Sequence, residues 1–343
     1  MAIQKFCISR DDSIYEAWPD LILTNGGKLL CIFTECKHHG DRALSRLMIT
    51  ESTDRGRTWS PKRQFSNDVS NGKYYNNARF SKLHDGSLTV VCDLIDGNEF
   101  TGDSTVYLYR GDSEGVHWSA PMETPAHGIV PDRLLELENG RWLLACHTKN
   151  PETHRLAEYL WYSDDCGKHW SERITLASDA RYNLCEASIL PCKNSTLVAF
   201  LRENSLLGYD GFKAFSYDNG ETWDGIYHVP VPGMHRPTVG RLQDGRILIT
   251  HRFLQGGKGW LGGYTQNMFA TLTDEASVLS KERHEQSVRI LPIDYDRSPH
   301  ADLGYTGWVQ FDDGEIYIAN YIVDDAPNAQ IRGYSLYPSE FLL

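Results

Sequence analysis

The stretch Ser52-Thr53-Asp54-Arg55-Gly56-Arg57-Thr58-Trp59 decides the fold, because it returns. It recurs as Ser163-Asp164-Asp165-Cys166-Gly167-Lys168-His169-Trp170 and again as Ser216-Tyr217-Asp218-Asn219-Gly220-Glu221-Thr222-Trp223. A degraded copy ends at Trp118 (Asp112-Ser113-Glu114-Gly115-Val116-His117-Trp118), and a fainter trace is Thr271-Leu272-Thr273-Asp274. Trp59, Trp118, Trp170 and Trp223 are successively 59, 52 and 53 residues apart. Even spacing on this scale marks a repeat architecture, each copy being one supersecondary unit. The octapeptide has a structural logic. Ser and Asp side chains bond backbone N–H groups inside a turn, Gly permits positive φ, and Trp packs between neighbouring sheets. The motif is therefore read as architecture, with no catalysis assigned to it.

A second repeat lies upstream of each octapeptide position: an apolar strand, a tight turn, another apolar strand. The turns are Asn25-Gly26-Gly27, Asp85-Gly86, Asn139-Gly140, Lys193-Asn194-Ser195, Asp244-Gly245 and Asp313-Gly314. Asn-Gly and Asp-Gly between apolar runs signal β-hairpins. Six turns predict six blades: an all-β, six-bladed β-propeller of four-stranded antiparallel blades, spanning 1–343 as a single domain. The long gap between Gly245 and Gly314 predicts an insertion around residues 281–301. The last blade runs out after three strands (305–311, 315–323 and 329–337). The segment Ile3–Ser9 is expected to supply its outer strand and close the ring.

Bulk properties narrow the function classes. A formal net charge of −12 argues against nucleic acid or an anionic membrane as partner. No uncharged apolar run is long enough for a membrane span, and the first residues lack the apolar core of a secretion signal, so a cytoplasmic location is expected. Of eight cysteines, Cys31, Cys92 and Cys146 fall inside apolar strand-like runs and read as buried free thiols. Neither CxxC nor HExxH occurs, and no metal or other cofactor is expected. Phosphate loops and dinucleotide fingerprints are also missing.

The repeat locates a site. Chain direction alternates within a blade, so the hairpin turns and octapeptides share one face. The starts of inner strands and the ends of the next strands meet on the other, near the axis. Nine residues before the turn stand Trp18, Asn77, Pro131, Glu186, Arg236 and Tyr305. Seven before stand Asp20, Arg79, Arg133, Ser188, Thr238 and Gly307, and seven after stand Thr34, Asp93, His147, Arg202, Arg252 and Tyr321. Five arginines among carboxylates, a histidine and two tyrosines, in an acidic chain, suggest a pocket for an acidic group. The structural alternative is mutual ion pairing at a solvated rim.

The Ser-x-Asp-x-Gly-x-Thr-Trp octapeptide resembles the Asp-box of the sialidase superfamily, and as a fold the resemblance covers nearly the whole chain. Glu186 and Arg202, sixteen residues apart, match the family's fourth-blade pattern. Tyr305, heading YTGWVQFDDG, matches the opening of its last blade. Asp41, in HHGDRALSRLMITESTD, matches loosely the acid/base Asp of its first blade, and Glu35 is an alternative. The resemblance implies that Tyr305 attacks the anomeric carbon, Glu186 takes its proton, and Asp41 protonates the leaving oxygen and later activates water. A neutral nucleophile suits an anionic sugar, and sialidases use Tyr where most glycosidases use a carboxylate. This chain departs from the family in the first blade, where Pro19 keeps the register and Ala17 stands at the position of the family's first carboxylate-binding Arg. Trp18 and Asp20 there read as a platform and an acceptor for a sugar ring. The third family Arg has Arg236 and Arg252 as near neighbours only. Arg79, Arg133 and Arg236 are candidates to bind a carboxylate placed elsewhere, as in a uronic or other keto-acid sugar.

The leading expectation is an exo-acting glycoside hydrolase releasing a terminal acidic sugar, with an oligosaccharide or glycoconjugate as its partner. A uronate lyase, with His147 or Tyr305 as base, and a non-catalytic glycan-binding propeller are the alternatives. His38-His39 reads as a solvated loop tip, with help to the acid/base step as its functional alternative. Lys281–Gln286 reads as an exposed insertion, and the glycine-rich run at 256–263 as a lid or a plain long connection. Oligomeric state is not legible in the sequence.

Overall fold

Apolar runs on either side of each turn pair as antiparallel strands, and every repeat adds two more. The computed structural model describes residues 3–42, 45–66, 72–97, 103–255 and 266–342. Among them six four-stranded antiparallel sheets occur, one per repeat, and they are the blades of a six-bladed β-propeller. The chain divides into two compact units, Met1–Leu134 with Asp296–Glu340, and Leu135–Tyr295 with Phe341–Leu343.

The first unit holds three blades. Blade one runs Tyr15–Leu23, Leu29–Cys36, Arg46–Ser52 and Arg63–Gln64. Blade two runs Lys73–Lys82, Leu88–Asp96, Asp103–Gly111 and Met122–His127. Blade six takes Leu303–Gln310, Ile316–Ile322 and Gln330–Leu336 from the end of the chain and Gln4–Ser9 from its beginning. That N-terminal strand pairs antiparallel with Gln330–Leu336, from Gln4 opposite Ser335 to Ser9 opposite Ile331. It is the closure expected from the sequence.

The second unit holds blade three (Leu135–Glu136, Trp142–Lys149, Leu156–Ser163, Ile174–Ala177), blade four (Leu184–Pro191, Leu197–Glu203, Phe212–Ser216, Asp224–His228) and blade five (Met234–Arg241, Ile247–Leu254, Gln266–Thr273, Val288–Tyr295). Part of the insertion expected at 281–301 is thus the outer strand of blade five. The extra length before it is a short helix, Glu275–Leu279, and a 3-10 turn, Arg283–Glu285. Asp274, the end of the faint octapeptide trace, caps that helix by accepting from Ser277 N at 2.7 Å. Lys281–Gln286 is largely exposed, as expected. The glycine-rich run at 256–263 lies outside the described residues. None of the eight cysteines is in a disulfide, and Cys31, Cys92 and Cys146 are buried.

The octapeptides do what their chemistry allows. Ser52 Oγ accepts from Gly56 N at 2.9 Å, while Asp54 accepts from the backbone N–H groups of Arg57 and Thr58 at 3.0 and 2.9 Å. The copies at Asp165 and Asp218 repeat the pattern. In the degraded copy Asp112 takes over, accepting from Glu114, Val116 and His117 N. Gly56 also lets its carbonyl accept from Tyr317 Oη of blade six at 2.7 Å, where a Cβ would strike the tyrosine ring.

Five hairpin turns place a glycine at φ between 81° and 89°. In the fourth, Asn194 and Ser195 hold φ 57° and 59° instead, with Thr196 N closing on Lys193 O. A side chain at positive φ costs about 1–2 kcal/mol. Ser195→Gly is expected to raise stability by about 1 kcal/mol in chemical denaturation, since Asn-Gly is the favoured pair for such a turn. An unchanged denaturation midpoint would contradict this.

Candidate active site

In five blades the innermost strand carries the same irregularity. Pairing slips between Ala17 and Asp20, Asn76 and Arg79, Cys185 and Ser188, His235 and Thr238, and Gly304 and Gly307. Inside each slip sits a non-glycine residue in left-handed backbone: Trp18 (φ 54°), Asn77 (49°), Glu186 (52°), Arg236 (49°) and Tyr305 (53°). Such bulges re-aim a side chain, and non-glycine left-handed backbone costs about 1–3 kcal/mol per residue, so it persists where the surroundings impose it. These are five of the six residues found nine positions before the turn. Blade three differs: its left-handed residue is Val130 (φ 51°), one place before the expected Pro131. A proline ring locks φ near −65°, so position 131 cannot adopt the conformation.

In the first unit, two bulged strands, the strand Ile316–Ile322 and two loops assemble an aromatic cluster. Trp18 lies 6.4 Å from Tyr305 and 6.1 Å from Tyr321, ring centre to centre, and Tyr305 lies 6.3 Å from Tyr321. His39 meets the Trp18 ring edge-on at 5.4 Å, and the Arg42 guanidinium stacks over it at 4.3 Å. Asp302, one residue before the inner strand of blade six, accepts from Tyr321 Oη at 2.8 Å and also bonds Tyr15 Oη and His39 Nδ1. Burial, and then the Asp302 charge, holds the Tyr15 phenol well above its ordinary range. Asp296 folds the preceding loop by accepting from the N–H groups of Ser298, Asp302, Val323 and Asp324 at 2.8–3.1 Å.

Other first-unit candidates have structural partners. Asp20 accepts from Phe80 N at 2.8 Å and faces Arg79 at 3.6 Å, while Arg79 donates to Pro19 O and Thr306 O at 3.1 and 3.3 Å. Together they tie the inner strands of blades one, two and six. Asp93, fully buried, accepts weakly from Asn77 Nδ2 at 3.4 Å. Asp41 pairs with Lys37 at 3.2 Å in a half-exposed turn. Glu35 is buried between Arg46 at 3.1 Å and Lys62 at 3.0 Å. Arg133 sits half-buried before the short inner strand of blade three.

In the second unit, Glu186 and Arg202 form a buried ion pair, Arg202 Nη1 standing 2.8 and 2.9 Å from the two carboxylate oxygens. Arg202 Nη2 donates to Asn204 at 2.6 Å, and Arg236, wholly buried, donates to Ala187 O at 3.4 Å. Burial raises the Glu186 carboxyl, but Arg202, His147 and Arg236 outweigh it and hold it at about 2. Burial pushes His147 down to about 4; Glu186 opposes the shift, and Arg202 and Arg236 reinforce it. His251 is pushed to about 4 by burial, and His235 lower still by burial beside Arg202 and Arg252.

These imidazoles make the fold acid-sensitive. Above the ordinary histidine value of 6.5 they are neutral in both folded and unfolded chains. Between 6.5 and about 4 the unfolded chain binds protons that the folded chain refuses, so stability falls as pH falls. The loss reaches about 3 kcal/mol per imidazole by pH 4. Glu186 prolongs it from its ordinary 4.5 down to about 2. Melting temperature is expected to drop steeply from pH 6.5 to 4, with a shallower slope in His251→Gln; a flat profile would contradict the assignment.

Tyr15, Arg42, Asp302 and His235 were not singled out from the sequence; His39 was, in the His38-His39 pair read as a solvated loop tip with help to the acid/base step as its alternative. Asp302 carries one usable signal, an isolated carboxylate immediately before an inner strand, at the end where the bulge lies. Among the described residues no His, Cys, Asp and Glu group has metal-binding geometry, and no helix is long and apolar enough to cross a membrane.

The Asp-boxes and the bulged inner strands define a sialidase-like β-propeller. The chain belongs to the BNR repeat-like domain family, which it matches over residues 68–318. It is 25% identical over 264 residues to a sialidase of Clostridium perfringens, across 71% of this chain and 56% of that protein. A sialidase of Paraclostridium sordellii is 27% identical over 263 residues, across 72% of this chain and 54% of its own. The chain therefore spans about half the length of the curated relatives it matches. Among solved structures, a Dyadobacter fermentans protein of unknown function superposes with a TM-score of 0.80 at 20% identity, covering 98% of this chain and 99% of its own. The Hadza microbial sialidase Hz136 superposes with a TM-score of 0.72 at 16% identity, covering 95% of this chain and 66% of its own. At these identities the structural likenesses speak for the fold.

Proposed function

We propose that the protein is an exo-acting glycoside hydrolase that removes a terminal acidic sugar, sialic-acid-like or uronic, from a glycan. The observation that carries the reading is Tyr305, held in left-handed backbone by a strand bulge and packed against Trp18 and Tyr321. In this reading Tyr305 attacks the anomeric carbon, and Glu186 has the role of its base, as the family resemblance implies. Ala17 in place of the family's first arginine supports a substrate whose carboxylate is held differently from that of N-acetylneuraminate.

The test is a screen of purified protein against chromogenic α-sialosides, other acidic glycosides and uronate oligosaccharides, with Tyr305→Phe as control. Release of an acidic monosaccharide, lost in the variant, is the expected result. A second reading has its own support. His147 is buried and neutral at pH 7, with no partner for Nδ1 among the described residues, which suits a base in a uronate lyase. An unsaturated product absorbing in the near ultraviolet would favour the lyase. Glycan binding without turnover would leave a lectin-like propeller.

A further inference from the structure

We propose that His39, oriented by Asp302, is the proton donor to the leaving group; the inference rests on the glycosidase reading above. His39 stands at the tip of a tight turn. His38 N and Asp41 O bond at 3.3 Å, Asp41 N and His38 O at 2.9 Å, and Gly40 N donates to His38 Nδ1 at 3.1 Å. Arg42 Nε holds the His39 carbonyl at 2.9 Å while its guanidinium covers Trp18. The turn thus presents the imidazole to the indole that also contacts Tyr305.

A carboxylate is an acceptor only. Asp302 therefore fixes the His39 proton on Nδ1, leaving Nε2 as the nitrogen that exchanges a proton. The ring remains over a third exposed, whereas Asp302 is mostly covered. Imidazole is the side chain best suited to exchange protons near neutrality. Asp41 shares the turn, but its carboxylate is engaged by Lys37, and its backbone closes the turn.

In the first step the glycosidic C–O bond breaks and its electron pair stays on the leaving oxygen, which takes the Nε2 proton. Tyr305 Oη bonds the anomeric carbon and releases its own proton to the base. In the second step water oxygen bonds that carbon and gives a proton back to Nε2. The Tyr305–carbon bond breaks, and the phenolic oxygen recovers its proton. The net change is addition of one water across the glycosidic bond.

The experiment compares two leaving groups on one sugar: 4-methylumbelliferyl and methyl glycosides, of N-acetylneuraminic acid and of glucuronic acid. Loss of a general acid weighs on a poor leaving group and spares a good one. H39Q is expected to lose about 100-fold or more in kcat/KM on the methyl glycoside and under about tenfold on the aryl glycoside. D302N should show the same bias more weakly, with D41N keeping the wild-type ratio between the two substrates. Equal losses on both substrates in H39Q, or the selective loss appearing in D41N instead, would overturn the proposal and leave the hydrolase intact. Wild-type silence on both pairs would overturn the hydrolase reading and this inference together. The exposed His39 ring makes H39Q a variant expected to fold, and its melting temperature checks this.

Discussion

Arg202→Met is expected to destabilise the protein by about 3–5 kcal/mol, the effect of removing one partner from a buried ion pair. Glu186 would then hold a negative charge in a buried site, having lost two contacts of 2.8 and 2.9 Å to the guanidinium. Its carboxyl, kept at about 2 chiefly by Arg202 against burial, would rise sharply. The double variant Glu186→Gln/Arg202→Met should recover much of the loss, because no charge is stranded. Urea denaturation of the three proteins measures the coupling directly. A loss below about 1 kcal/mol in the single variant would mean that water reaches the pair and screens it.

On the proposed hydrolase reading, Tyr305→Phe should reduce kcat by about 1000-fold or more while leaving the fold in place, the behaviour of a lost nucleophile. The variant removes one oxygen and keeps the ring that packs against Trp18 and Tyr321. Stability should therefore change by no more than about 1.5 kcal/mol, the contribution of a single hydrogen bond. Turnover on the substrate identified in the screen, together with a melting curve, separates chemistry from structure. Glu186→Gln supplies the second axis. Residues acting as a unit are non-additive, so a base serving Tyr305 predicts a double variant no slower than Tyr305→Phe alone. Multiplying losses would reduce Glu186 to the partner of Arg202.

Blade number and blade order were legible because their signals are local. An Asp-box is closed by hydrogen bonds within seven residues, and a hairpin turn within five, so each reads in isolation. Counting from the turn carried the register correctly to Trp18, Asn77, Glu186, Arg236 and Tyr305, since the bulge recurs at a constant distance. It slipped at Pro131, where the ring forbids the conformation and Val130 adopts it. The count was blind to loops. Asp302 and His39 lie 263 residues apart, outside the repeat, and meet only because Asp296 and the His38–Asp41 turn shape their separate segments. Position also does not reveal partners. Asp20 and Arg79 occupy the expected places, yet what they hold is neighbouring backbone.

The strand Gln4–Ser9 has a consequence in time. Its partner, Gln330–Leu336, follows it by more than 300 residues of chain. At about 5–20 residues per second, the opening strand leaves the ribosome roughly 15–65 s before that partner exists. Throughout this interval its edge partner does not exist, and blade six cannot close. The other five blades are complete in sequence by Tyr295 and can form as they emerge. Translation that stops short of residue 330 therefore leaves the strand Gln4–Ser9 without the partner that gives it a sheet.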